Sequence, residues 1–182
     1  MTPPFPPHAR APEIPGAGIV LCPLEPRDAP AMLENDRDPE TAARFEWAPK
    51  DAALWRCEQH IERAAELWRT GEQLIFAVRE SAGGPLVGIV DAKMRDHPPG
   101  AEQGEQAVEL SWTTVPGARR RGIATSAVRA MVGFVGTLGL QEVWAKVDRD
   151  NAASLAVARA AGFREVSGDE RWVFLSGRTG AG

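Results

Sequence analysis

Val115-Pro116-Gly117-Ala118-Arg119-Arg120-Arg121-Gly122-Ile123-Ala124-Thr125 joins a strand-like run to a helix-like run, and its reading decides the fold. Before it, Ala107–Val115 reads as a strand, with Glu109, Ser111 and Thr113 on one side by strict alternation. After it, Gly122–Leu138 places Ile123, Ala127, Met131, Phe134 and Val135 on one side of a helix. A helix start leaves backbone N–H groups unpaired and carries partial positive charge, which suits a phosphate. Gly122 lets a ligand approach the backbone closely, and Ala124 is small enough not to block it. Taken alone, three consecutive arginines also fit a solvated face or a nucleic-acid patch. The stretch is neither a Walker loop, since it lacks the Lys-Ser/Thr ending, nor a GxGxxG turn.

A second strand-to-helix junction follows. Glu142–Val147 reads as a strand, and Asp150-Asn151-Ala152-Ala153-Ser154 opens the next helix, with Asp150 or Asn151 as its N-cap. Asn151 and Ser154 are three apart and share a helical face. The helix ends at Ala160-Ala161-Gly162-Phe163, a stop followed by an apolar anchor. Capping alone would account for Asn151 and Ser154.

Outward from these junctions the chain alternates. Gly18–Pro23 reads as a strand, Glu25–Asn35 as a short helix, and Asp51–Thr70 as a helix with Leu54, Cys57, Ile61, Ala64 and Trp68 on one face. Leu74–Glu80 and Leu86–Met94 form a hairpin about the turn at Ala82–Pro85. Asp96–Gln106 is a polar loop, and Arg164–Val166 and Arg171–Leu175 close the chain as strands. Hairpins together with one strand-helix-strand crossover predict a mixed sheet with helices on both faces. Residues 1–17 are Pro-rich and predict a flexible arm, 18–176 a single domain, and 177–182 a frayed tail.

Composition narrows the class. With 182 residues, 43% hydrophobic and 25% charged, the chain is an ordinary globular mixture of one-domain size. No run approaches the ~20 apolar residues of a membrane span, and the N-terminus lacks a secretory pattern. Cys22 and Cys57 are too few for a disulfide framework, which together with the missing leader predicts a cytoplasmic protein. His8, His60 and His97 form no zinc spacing, so no metal is expected. A net charge of -4 disfavours nucleic acid as a partner and permits a cationic substrate.

Arg119-x-x-Gly122-x-Ala124 resembles the Q/R-x-x-G-x-G/A signature of the GNAT superfamily of N-acetyltransferases. Asn151-x-x-Ser154 followed by Gly162-Phe163 resembles that superfamily's second cofactor motif, in the version of the RimJ/RimL-like branch of ribosomal-protein N-terminal acetyltransferases. Val20–Met32 is similar to that branch's opening strand and helix, so the resemblance runs from about residue 18 to 175. It implies an α/β (α+β) fold: a mostly antiparallel sheet of about seven strands with about four helices on both faces, splayed after the fourth strand. It also implies transfer of acetyl from acetyl-CoA, as cosubstrate, to an amine. By that resemblance the backbone of Thr113, Thr114 and Val115 would pair with the pantetheine amides. Arg120, Arg121, Gly122, Ile123, Ala124 and Thr125 would cradle the pyrophosphate, Asn151 would bind the pantetheine region, and Ser154 would approach the sulfur.

The chemistry needs an amine stripped of its proton and a departing thiolate of modest basicity, near a thiol pKa of ~8.5. Glu109 is the candidate base, since the family often places a carboxylate at this strand position. Many members protonate the thiolate with a tyrosine near the position of Ala158, but this chain has no tyrosine, so Ser154 is the candidate hydrogen-bond donor. Phe45, Trp47 and Trp112 are candidates to line the acceptor cleft. The acceptor is a peptide N-terminus or a small amine, and a homodimer is left open. A catalytically silent acyl-CoA sensor on the same fold is the competing reading.

Overall fold

A computed structural model describes residues 3–8, 10–44, 51–96 and 107–180. In chain order it forms β1 (Ile14–Gly16), β2 (Ile19–Cys22), a 3-10 turn (Pro26–Asp28), α1 (Ala29–Arg37), α2 (Pro39–Arg44), α3 (Leu54–Thr70), β3 (Gln73–Arg79), β4 (Gly88–Arg95) and β5 (Ala107–Thr114). A second 3-10 turn (Pro116–Ala118) leads into α4 (Ile123–Thr137), β6 (Glu142–Asp148), α5 (Ala152–Ala160), β7 (Arg164–Gly168) and β8 (Trp172–Arg178). The strands make one sheet in the order β1-β2-β3-β4-β5-β6-β8-β7.

Every neighbouring pair is antiparallel except β5 and β6, which the α4 crossover joins in parallel. That parallel pair meets only at Val108↔Val143 and Glu109↔Trp144. Beyond it β5 keeps its partner on β4 as far as Thr114, and β6 keeps its partner on β8 as far as Asp148. The sheet therefore opens into a wedge. This is the expected splay, at the fifth strand instead of the fourth because β1 adds one to the count.

Two apolar layers hold the sheet. On one face Ala127, Val128, Met131 and Val135 of α4 pack with Leu21, Phe76, Val78, Val90, Val108 and Leu110. On the other, Met32 of α1 and Cys57 and Ile61 of α3 pack with Cys22, Ala77 and Leu86. With both faces covered, β3 is buried from Leu74 through Arg79 and reads as a near-continuous apolar run. Leu54, expected on the buried stripe of α3, is instead 41% exposed, because it opens the helix before the stripe reaches the sheet.

Among the described residues the sheet has eight strands against about seven expected, and there are five α-helices against about four. The extra strand lies in the segment expected to be a flexible arm: Ile14–Gly16 pairs with Ile19–Leu21. Pro15 stands within it, which an edge strand tolerates because one side needs no donor. Phe5 is 1% exposed, its N–H donates to the Gly71 carbonyl (3.0 Å), and the His8 N–H donates to the Trp68 carbonyl (3.2 Å). Gly71 ends α3 at φ +72°, and a Cβ there would lie 2.2 Å from the Phe5 carbonyl oxygen. The expected tail likewise begins inside β8, which runs to Arg178.

Arg79 fixes α1 over the sheet. It is 1% exposed and donates from both terminal nitrogens to Asp28 (2.9 and 2.8 Å), from Nη1 also to the Gly84 carbonyl (3.0 Å), and from Nε to the Cys22 sulfur (3.0 Å). Asp28 is the residue on which α1 starts. The roof of the cleft described below thus hangs from a charge pair at the end of β3.

Candidate active site

The wedge is bordered by two helix starts. Because β5 and β6 run parallel, the helices that follow them, α4 and α5, begin at the same edge of the sheet. At the first, Arg120 has φ +60° and Gly122, the N-cap of α4, has φ +77°. Among the described residues no backbone N–H from Arg120 to Thr125 reaches a protein acceptor, and the first to do so is that of Ser126, which donates to the Gly122 carbonyl (3.0 Å). Alternating left-handed residues turn successive N–H groups toward one point, an anion-binding concavity. A left-handed arginine costs roughly 1–2 kcal/mol, and such strain is characteristic of ligand clamps.

The three arginines separate in function. Arg119 donates to Asp38 (2.6 Å), Glu40 (2.9 Å) and Thr41 (3.1 Å), which ties the loop to α2. Arg121 pairs with Glu80 (2.6 Å) at the surface. Arg120 alone has no ion pair among the described residues. At the second helix start the Asn151 side chain accepts from the Ser154 N–H (3.0 Å) and caps α5. The Ser154 hydroxyl takes no part in that cap, is half-buried, and has no partner among the described residues.

Along the wedge the edge of β5 lacks a strand partner, and Arg119 Nε donates to its Thr114 carbonyl (3.4 Å). The Val115 N–H donates to the Val87 carbonyl (3.1 Å), on the β4 side. Alternation then turns the backbone groups of Thr114 and Trp112 to the open side and those of Thr113 toward β4. The Trp112 indole N–H is buried without a partner. An open strand edge, an unpaired indole donor and a run of free N–H groups suit an extended ligand with amides at one end and phosphates at the other.

On the opposite face of the sheet lies a cleft of about 800 Å³. Its floor is Gln73 and Ile75 of β3, Ile89 and Asp91 of β4, and Ser111 and Thr113 of β5. Its roof is Met32, Asn35 and Asp36 of α1 and, among others, Cys57 and His60 of α3. The cleft reaches Val115, so it meets the wedge at the same strand edge. Asp91 accepts from Gln73 Nε2 (3.1 Å) and from the Ser111 hydroxyl, and desolvation, opposed by those two hydrogen bonds, pushes its carboxyl up to about 6. Asp36 is also raised by desolvation, against a hydrogen bond from Cys57 (3.7 Å). Neither carboxylate has an ion pair among the described residues, whereas Arg56 and Arg63 at the rim are taken by Asp51 (3.0 Å) and Glu72 (3.6 Å).

Glu109 shares the strand face of Ser111 but does not line the cleft; its carboxylate lies 3.4 Å from Arg95 and is a quarter exposed. Trp112 lines the cleft and packs on the core behind it. Phe45 and Trp47 lie outside the described residues. Asp91 was missed by sequence reasoning, although a signal existed: in Gly88-Ile89-Val90-Asp91-Ala92 a carboxylate interrupts the middle of an apolar strand.

The family described as acetyltransferase (GNAT) domain matches residues 19–164, and the chain belongs to it. The protein is thus an acetyltransferase with acetyl-CoA as its cosubstrate, and the described residues hold no cluster able to bind a metal ion. Nor is any described helix long and apolar enough to cross a membrane. Over 136 residues the chain is 26% identical to aminoglycoside N(6')-acetyltransferase type 1 of Klebsiella aerogenes, covering 72% of this chain and 90% of that one. Its fold is shared with the microcin C7 self-immunity acetyltransferase MccE, solved with acetyl-CoA and AMP: TM-score 0.73, 17% identity, 88% and 92% of the two chains covered. The ribosomal-protein-S5-alanine acetyltransferase of Vibrio fischeri matches with TM-score 0.72 and 16% identity over 94% of this chain and 98% of that one.

Proposed function

We propose that the protein acetylates a primary amine held in the 800 Å³ cleft, by direct attack on acetyl-CoA lying in the wedge. The observation that carries this reading is the meeting of cleft and wedge at Ser111–Val115, which lets two substrates approach one strand edge from opposite faces. Holding amine and thioester in contact supplies much of the acceleration of such a reaction.

In this reading the N–H groups of Arg120, Arg121, Gly122, Ile123, Ala124 and Thr125 receive the pyrophosphate, with Arg120 as the uncommitted cation beside it. The open strand edge at Trp112 and Thr114 and the side chain of Asn151 hold the pantetheine, while Thr113 and Val115, whose backbone groups face β4, only shape that edge. Trp112 sits between the substrates, and the Ser154 hydroxyl donates to the leaving thiolate. Glu109, two residues from Ser111 on the same strand face and outside the cleft, passes the amine's proton on to water. The acceptor class is a small amine or a peptide N-terminus; the relative is named for an aminoglycoside and the neighbour for an alanine of ribosomal protein S5.

The test is release of CoA from acetyl-CoA across a panel of n-butylamine, spermidine, an aminoglycoside and an alanyl peptide. Acetylated product with any of them supports the reading. Tight acetyl-CoA binding with no product from any would favour a silent acyl-CoA sensor instead.

A further inference from the structure

The acceptor amine carries a proton at neutral pH and cannot attack until it is lost. Glu109 stands outside the cleft and faces Arg95, whereas Asp91 lies on the floor, half-buried, with both oxygens fixed by neutral donors. Resting on the acetyl-transfer reading above, we propose that Asp91 is the catalytic residue that receives the acceptor: it binds the incoming ammonium and takes its proton.

The geometry supplies what this role needs. Gln73 and Ser111 orient the carboxylate without neutralising it, leaving the charge for the ligand. Ser111 stands opposite Asp91 in register and belongs to the strand whose open edge borders the wedge, so an amine over Asp91 lies beside the thioester. The charged groups near Asp91 are Lys93 and Glu109 from the same sheet face, Asp36 from α1, and Arg56, His60 and Arg63 from α3. Both arginines are paired elsewhere. Desolvation raises the Asp91 carboxyl against its hydrogen bonds from Ser111 and Gln73, and a substrate ammonium beside it would offset that cost.

The ammonium gives one proton to the Asp91 carboxylate, and the neutral amine forms the C–N bond at the thioester carbonyl. The C–S bond breaks, and the second N–H proton, released as the amide forms, reaches the thiolate through water. Asp91 then returns its proton to solvent, by way of Glu109, a diagonal neighbour at roughly 7–8 Å.

The experiment compares the parent with Asp91→Asn, Asp91→Glu and His60→Gln in the full chain, using the best amine of the panel between pH 5 and 9. For Asp91→Asn we expect kcat to fall about 10²–10⁴-fold, an unchanged KM for acetyl-CoA, and loss of the acidic limb near pH 6. Its melting temperature at pH 8 is expected to equal or exceed the parent's, since an uncompensated charge is removed. Asp91→Glu should recover part of the rate, and His60→Gln should keep the limb. An Asp91→Asn enzyme within threefold of the parent, or one that keeps the limb, overturns the proposal. So does removal of the limb by His60→Gln, or loss of rate together with loss of melting temperature. If the parent acetylates no amine while still binding acetyl-CoA, the acetyl-transfer reading fails instead and Asp91 falls with it.

Discussion

Arg119 lies 2.6 Å from Asp38, eighty-one residues earlier in the chain, and this contact binds the phosphate loop to the first turn of α2. Asp38 is doubly used: it also accepts from the Thr41 N–H (3.0 Å) and so caps α2. The hydrogen bond from Arg119 is the main cause that holds the Asp38 carboxyl below its ordinary value. A depressed carboxylate stabilises the fold above its unfolded pKa of ~3.9 and loses that contribution as pH falls through the lower folded value. Acid unfolding of Asp38→Ala should therefore differ less from unfolding at pH 7 than the parent's does. At pH 7 the variant should be less stable by about 0.5–2 kcal/mol, the usual cost of a lost N-cap, read by urea titration.

CoA should stabilise the protein. At ~100 times its dissociation constant the gain is about 2.7 kcal/mol, or roughly 5–10 °C of melting temperature for a domain of this size. Gly122→Val should remove the shift. At φ +77° a branched side chain is strained, although no atom stands within 4 Å of a Cβ there, so the defect is in the backbone of the loop and not in packing. A parent protein whose melting point ignores millimolar CoA would remove the phosphate-cradle assignment.

Ser154→Ala and Asn151→Ala should part ways. The Asn151 side chain caps α5, so its loss should cost about 0.5–2 kcal/mol of stability. Ser154 offers the cap only its backbone N–H, which alanine retains. Its replacement should leave the melting temperature alone and slow turnover by the worth of one hydrogen bond, about 0.5–3 kcal/mol or two- to hundredfold. Normal turnover with a lowered melting temperature would contradict the thiolate role.

Asp28→Ala should be among the most damaging single changes. It takes from Arg79, a 1%-exposed guanidinium, its two closest carboxylate contacts and leaves only Glu25 at 3.5 Å; breaking a buried pair typically costs about 3–5 kcal/mol. Since α1 roofs the cleft, acceptor KM should rise before the protein unfolds in a denaturant series.

The junctions were legible in the sequence because each combines a periodicity change with a glycine or a cap. Gly122, Asn151, Gly162 and the strands around them stand where the pattern put them. The opening of the sheet beyond Glu109 was expected from resemblance, because nothing in the composition of Leu110–Thr114 says that a neighbour is missing. β1 was hidden by Pro12 and Pro15, which argue against a strand except at an edge, and only the finished sheet shows that this is an edge. Asp91 was hidden because its importance lies in what surrounds it. The partners Gln73 and Ser111 are eighteen and twenty residues away and meet it only through strand register. The arginine run misled in the other direction: two of its three charges are spent on Asp38, Glu40 and Glu80, distant carboxylates that sequence proximity does not reveal.

The docking of Phe5 against Gly71 has a consequence for synthesis. Phe5 leaves the ribosome long before the turn that receives it, which is sixty-six positions downstream. At about 5–20 residues per second, the phenylalanine waits roughly 3–13 s with its ring in water before α3 and its terminal glycine exist to bury it. During that interval the nascent chain presents Phe5 unsheltered among Pro-rich neighbours, open to proteases and chaperones. A bulky fusion placed directly before Pro3 would lengthen the exposure by obstructing the docking.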